Sequence, residues 1–305
     1  MRIDRILDER YPCFSFEFFP PKTDEGMENL FNAVAELKKD DPGFVSVTYG
    51  ALGSTRDRTI EITKRIKREL GVESMSHLTC VGATKEQLRA ILDEIGEAGI
   101  ENVLALRGDP PQGETEWKPT PGGLKYSTEL AELISKNYDY AVGAACFPEV
   151  HPQAADMESD LLFLKKKVGA GARFLITQLF YDNELYFNFV DKAREAGIDV
   201  PIIPGLMPIT NYQQIKRITG LCGASIPGDL EKELAARADD PDAMLELGVA
   251  YATLQAADLL ARGAPGIHFY TLNRSPATRA ILSALRAWRP WEGGERPKPV
   301  LAAAG

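Results

Sequence analysis

Short apolar runs, each followed by an amphipathic stretch, set the rhythm of this 305-residue chain. The runs are Cys13–Phe19, Phe44–Tyr49, Ser76–Val81, Asn102–Leu106, Ala141–Phe147, Phe174–Phe180, Ile202–Leu206 and Gly266–Leu272. Amphipathic segments follow near 24–39, 56–70, 84–97, 127–136, 154–169, 184–196, 211–221, 242–262 and 275–287. Strands that alternate with helices in this way predict a parallel sheet. Eight such pairs fit an α/β fold of the (β/α)8 TIM-barrel type better than an open doubly wound sheet. The stretch 227–240, opening on Pro227-Gly228-Asp229, reads as an extra helical insertion after the seventh helix. The expected layout is one catalytic barrel over 1–289 and a Pro-, Gly- and Ala-rich tail over 290–305.

A barrel directs attention to the carboxyl ends of its strands, where such folds carry their chemistry. Glu17 lies in Phe14-Ser15-Phe16-Glu17-Phe18-Phe19-Pro20-Pro21, a carboxylate among strand-forming aromatics that the double proline brings to a stop. Burial there disfavours the charged form, so its pKa is expected to rise, as suits a general acid; a structural ion pair is the plainer reading. Thr48-Tyr49-Gly50 ends the second run and His77-Leu78-Thr79-Cys80 lies on the third. Arg107-Gly108-Asp109-Pro110-Pro111 follows the fourth, and Pro148-Glu149-Val150-His151-Pro152 the fifth. Thr177-Gln178 and Tyr270-Thr271-Leu272-Asn273-Arg274 close the sixth and the eighth. All three histidines fall on these strands or their exits.

Composition narrows the partners. Apolar residues make up 44% and charged residues 26%, as in a soluble globular protein. The net charge of −9 argues against nucleic acid, so an anionic ligand must be met by a local cluster of donors. No apolar run approaches the ~20 residues that span a bilayer. The N-terminus lacks a signal-peptide core, and Cys13, Cys80, Cys146 and Cys222 show no Cys-x-x-Cys spacing. Reduced thiols in a cytoplasmic protein are therefore expected. No Gly-x-Gly-x-x-Gly fingerprint, zinc-ligand spacing or Gly-x-Ser-x-Gly elbow is present.

The individual motifs are short. Arg107 and Asp109 read either as a loop-stabilising pair or as ligand contacts, with Gly108 allowing close approach to a flat ligand. His77 or His151 alone reads as a structural histidine more readily than as a contact. Asp160, Phe163 and Lys167 share one helix face, and Lys165-Lys166-Lys167 is either a solvated face or a phosphate contact. Gln178 is a core amide or a two-sided partner for a heterocycle edge.

Taken together, these ordered motifs, from Phe14 to about Arg274, resemble the methylenetetrahydrofolate reductase family. The resemblance implies a flavoprotein that holds FAD non-covalently. It would reduce 5,10-methylenetetrahydrofolate to 5-methyltetrahydrofolate with NADH or NADPH, in a ping-pong cycle of hydride transfer through flavin N5. It assigns Glu17 as the general acid at N10, Asp109 as the acidic residue beside flavin and pterin, and Gln178 as the amide serving folate and nicotinamide in turn. For FAD it implies Thr48, Tyr49, Ala51, His77, Arg107, Gly108, Asp109, Tyr126, Ser127, Ala145, Phe147, His151, Ala154, Asp160, Lys166 and Lys167. For folate it adds Gln214, Tyr270 and Arg274 to Glu17, Asp109 and Gln178. No metal is implied. Relatives commonly assemble as homo-oligomers, and that expectation carries over.

Two departures stand out. Phe147 replaces a frequent Tyr and Phe163 a frequent Asn, which puts contacts at the adenine side of FAD in question. The chain also ends soon after the barrel, so regulation by adenosylmethionine through a C-terminal domain is not expected. Two other readings stay open: the same folate chemistry with electrons from a protein partner, and a folate- or flavin-binding protein without turnover.

Overall fold

A computed structural model describes residues 1–49, 56–108 and 119–293. Its parallel strands are β1 (Cys13–Phe18), β2 (Phe44–Val47), β3 (Ser74–Thr79), β4 (Asn102–Leu106) and β5 (Ala141–Cys146). They continue with β6 (Ala172–Thr177), β7 (Ile202–Ile203), β8 (Gly205–Leu206) and β9 (Gly266–Tyr270). Each strand pairs with its sequence neighbour from β1 to β7, and β9 joins β1 to β8. Since β7 and β8 are consecutive in the chain, the sheet closes into a ring. The seventh apolar run is thus a single stave cut in two at Pro204, which has no N–H for the ladder. Its carbonyl still serves the sheet, accepting from His268 N at 2.9 Å.

Helices α1 (Ile3–Glu9), α2 (Asp24–Lys38), α3 (Arg56–Leu70), α4 (Lys85–Glu97), α5 (Ser127–Asn137) and α6 (Met157–Gly169) come first. They are followed by α7 (Asn183–Glu195), α8 (Tyr212–Cys222), α9 (Gly228–Ala236), α10 (Pro241–Ala261) and α11 (Pro276–Trp288). The expected extra insertion is α9, packed through Leu230 and Leu234 beside Tyr212 and Ile215 of α8. The (β/α)8 architecture expected from the apolar rhythm is the observed one, with boundaries within a few residues. No described helix is long and apolar enough to cross a membrane.

Alternation decides what faces where. Phe14, Phe16 and Phe18 of β1 point outward into the helix shell, with Val45, Val47, Ile267 and Phe269. The lumen floor holds Cys13, Phe44, Met75, Leu104, Phe174, Ile176 and Ile203, and Ile3 and Ile6 of α1 plug it. That plugging helix carries no expected element of its own, because seven residues are too few for a clear helical period. Asn102 ties it in place, accepting from Ile3 N at 2.8 Å. Above the floor the lumen turns polar with Ser15, Ser46, His77 and His268, all buried. Beyond α11 a turn over Pro290–Gly293 sets Trp291 against Phe14, ring centroids 6.0 Å apart. The remainder of the expected tail lies outside the described residues.

Ring closure leaves no room at Gly266, where a Cβ would stand 1.8 Å from the Cys13 carbonyl oxygen. Gly266→Ala is expected to lower stability by about 2 kcal/mol or more through forced separation of β9 from β1. Urea denaturation checks this; an unchanged midpoint would show that the closure tolerates a wider gap.

Candidate active site

At the carboxyl end of the barrel, Glu17 leaves β1 with its side chain turned into the lumen. Its backbone neighbours across the sheet are Ser46 and Tyr270. Carboxylate Oε2 lies 3.4 Å from His77 Nε2 and 3.5 Å from each of His268 Nε2 and Ser46 Oγ. The side chain keeps 18% of its surface exposed, so one edge faces the mouth.

The expected rise in the Glu17 pKa is corrected by this setting. Burial pushes it up, but the imidazoles of His77 and His268 and the Ser46 hydroxyl together hold it below the ordinary carboxylate value. Local sequence showed only the flanking phenylalanines, and these face away from it. Burial drives His77 down to about 4, against the pull of Glu17. Near neutral pH the pair is therefore a carboxylate beside a neutral imidazole.

The other expected residues fall into three groups around the mouth. Gln214, Tyr270 and Arg274 line one cleft of about 220 Å³, together with Phe19, Pro208 and Thr210. Asn211 caps α8 by accepting from Gln214 N at 2.8 Å, which sets Gln214 at the rim. Two hydrogen bonds between Asn273 and the Phe19 backbone, 2.8 and 2.9 Å, clamp the β9 exit to the β1 exit. Leu272 and Asn273 hold φ of 51° and 59°, so this loop is kept in a sparsely populated conformation. Tyr270 reaches over the barrel to donate to the Thr177 carbonyl at 2.6 Å, beside Gln178. Gln178 itself is half-buried, and its Oε1 accepts from Leu179 N at 2.9 Å.

The second group joins the exits of β4 and β5. Arg107 donates to Gln153 Oε1, while His151 N donates to Asp160 Oδ2 at 2.9 Å. His151 stacks edge-on against Phe147 at 4.5 Å, and Ala154 N donates to the His151 carbonyl at 2.8 Å. Val150, a β-branched residue, holds φ of 73° in this loop. Lys167 reaches back to the Ala145 carbonyl at 3.1 Å. Burial lowers its pKa, opposed by Asp160. Lys166 is exposed and sits 4.9 Å over the Phe163 ring, an open cationic platform.

The third group lines the exits of β2 and β4 and the start of α5. Thr48 and Tyr49 are half-buried at the β2 exit. Tyr126 stands exposed at the start of α5, where Ser127 is buried. Gly108 has φ of +92°, and a Cβ there would stand 2.2 Å from Val81 Cγ1. Backbone shape and the neighbouring strand thus require this glycine independently of any ligand. Ala51 and Asp109 lie outside the described residues.

Among the described residues, His77 Nε2 and Thr79 Oγ1 are buried polar atoms without a hydrogen-bond partner. Together with the strand-exit backbone they fit a planar ligand that exchanges hydrogen bonds, such as an isoalloxazine. Among the described residues no group of three His, Cys, Asp or Glu side chains is disposed to hold a metal ion. His268, Ser15 and Ser46 were not expected in the site. The signal lay in alternation: His268 is two positions before Tyr270, and Ser15 two before Glu17.

Fold and site together define a (β/α)8 barrel protein with a polar, carboxylate-bearing mouth. The methylenetetrahydrofolate reductase family model matches residues 2–286, and the chain belongs to that family. It is 41% identical to the 5,10-methylenetetrahydrofolate reductase of Escherichia coli (strain K12), over 89% of this chain and 90% of that one. It is 40% identical to methylenetetrahydrofolate reductase (NADH) 1 of Arabidopsis thaliana, over 93% of this chain and 50% of the plant protein. The chain therefore spans about half the length of the plant relatives it matches. A solved structure of an uncharacterized Clostridium thermocellum protein that binds 5-methyl-5,6,7,8-tetrahydrofolic acid shares the fold, with a TM-score of 0.65 at 18% identity. That likeness covers 95% of this chain and 99% of the other.

The site also predicts an acid-sensitive fold. His77 titrates at about 4 in the folded protein and at 6.5 without it, so the unfolded chain binds the proton first. Stability present above pH 6.5 is expected to fall by roughly 3 kcal/mol as pH drops toward 4. The lowered Glu17 value adds to the loss at still lower pH, as its stabilising charge is removed. Urea denaturation across this window should show a shallower slope for His77→Gln; equal slopes would contradict the assignment.

Proposed function

We propose that this protein reduces 5,10-methylenetetrahydrofolate to 5-methyltetrahydrofolate with NADH or NADPH, using FAD held at the barrel mouth. The observation that carries the reading is Glu17, a partly exposed carboxylate in the lumen of a chain from this family. Bound flavin would accept electrons from the nicotinamide and pass them to the folate carbon. The chain's own residues do the rest. Thr48, Tyr49, His77, Arg107 and Gly108 would border the flavin ring, with His77 Nε2 supplying one of its hydrogen bonds. Tyr126, Ser127, Ala145, Phe147, His151, Ala154, Asp160, Lys166 and Lys167 would line the remainder, the lysines meeting phosphate charge. Ala51 and Asp109 complete the proposed set; Asp109 would favour the iminium cation electrostatically.

Glu17 delivers the proton that opens the folate five-membered ring at N10. The free protein keeps this carboxyl below its ordinary pKa, so protonation must accompany binding. Ligands that cover the exposed edge remove its water, and desolvation then raises the pKa toward the working range. Gln214 and Arg274 would fix the folate from the cleft, the guanidinium fork suiting the carboxylates of its glutamate tail. Gln178 would offer its amide to folate and nicotinamide in turn.

A visible spectrum of the purified protein should show bound oxidised flavin. Glu17→Gln should leave flavin reduction by NADH nearly intact while abolishing folate reduction, because only the second step needs a delivered proton. Stopped-flow traces with both steps equally slowed would remove Glu17 from that role. Arg274→Ala should raise KM for the folate about tenfold, the loss of one charge-assisted contact, with kcat largely kept. An unchanged KM would put the glutamate tail elsewhere.

A further inference from the structure

We infer that His268, anchored by Ser15, is a positioning residue that donates its Nε2–H to the Glu17 carboxylate and so governs how readily that group holds a proton. The inference deepens the proposed folate chemistry and rests on it only for its catalytic consequence. Ser15 and His268 are wholly buried on the lumen face, and they are paired in register across β1 and β9. Ser15 Oγ lies 2.8 Å from His268 Nδ1. The imidazole is held flat against Phe44, centroids 5.8 Å apart at 20°, and edge-on to Tyr270 at 5.5 Å. It therefore has one orientation, with Nε2 3.5 Å from both Glu17 Oε2 and Ser46 Oγ, whose own hydroxyl donates to that same carboxylate oxygen.

Hydrogen-bond accounting fixes the tautomer. Among the described residues, His268 Nδ1 is the one acceptor within reach of the buried Ser15 hydroxyl. Were Nδ1 protonated, that hydroxyl hydrogen would be left buried without a partner, which is costly. Ser15 therefore donates to Nδ1, and the ring proton sits on Nε2, facing Glu17. The groups around the carboxylate are Ser46 from β2, His77 from β3, and His268 and Tyr270 from β9. Burial holds the Tyr270 phenol well above its usual pKa, so it stays neutral. His77 has no hydrogen bond of its own to Glu17, which leaves His268 as the ring donor tied to a second residue.

Infrared difference titration of the purified protein tests this without any turnover, the Glu17 band being assigned by its loss in Glu17→Gln. His268→Phe is expected to raise the carboxyl midpoint by about one pH unit, since a donor to the charged form is removed. Ser15→Ala should raise it by less, and His268→Gln, which keeps an amide N–H at similar reach, should stay near the parent value. A midpoint unmoved in both His268→Phe and Ser15→Ala overturns the inference. If the Phe variant does not fold, Ser15→Ala, which removes a single oxygen, decides the matter alone. The pH profile of folate reduction should shift upward with the midpoint. A moved midpoint with no change in that profile upholds the His268 contact and removes Glu17 as the acid.

Discussion

Side-chain alternation inside a closed parallel sheet is the constraint on which the structure depends. Each stave must send one set of residues into a lumen with no outlet below and the other set into the helix shell. On β1 this sorts three phenylalanines outward and Cys13, Ser15 and Glu17 inward. The apolar helix contacts hold the ring shut, and because it is shut, polar lumen residues from distant parts of the chain meet. A slip of one residue would exchange the two faces of the strand and drive Glu17 into the shell.

The lumen is graded along its axis. Its floor is apolar and plugged by Ile3 and Ile6, its middle carries Ser15, Ser46 and His268, and its mouth carries Glu17 and Tyr270. A buried carboxylate is tolerable only with partners, and here Ser46 and His268 hydrogen-bond one oxygen while His77 lies 3.4 Å from it. The same gathering holds the Glu17 pKa below that of an isolated carboxyl, against the opposing push of burial. Residues strained into positive φ, Val150, Leu272 and Asn273, sit in the loops that rim this mouth. Of the five described non-glycine residues at positive φ, these three border the proposed ligand contacts, while Asp41 and Arg289 lie elsewhere.

The rim residues from different staves are locked by short local bonds. Asn273 to Phe19, Tyr270 to Thr177, and His151 to Asp160 each join two segments that meet at the mouth. The first two fix the strand exits beside Gln178 and Arg274, two residues proposed to meet the folate, as long surface side chains alone would not.

Period and punctuation, both local properties, were enough to determine the staves, the helices and the α9 insertion from sequence alone. The same reading picked out Glu17, Gln178, Tyr270 and Arg274, because polar residues at strand exits stand out against apolar runs, whereas Gln214, on α8, entered only through the family resemblance. It did not disclose the α1 plug, the break at Pro204 or the part of His268 and Ser15. Nor did it give the direction in which the Glu17 pKa moves. Those were decided by tertiary structure: Ser15 and His268 are separated by 253 positions and meet only when β9 closes on β1. A carboxyl's charge state depends on what faces it across the lumen, and no window of neighbouring residues contains that information.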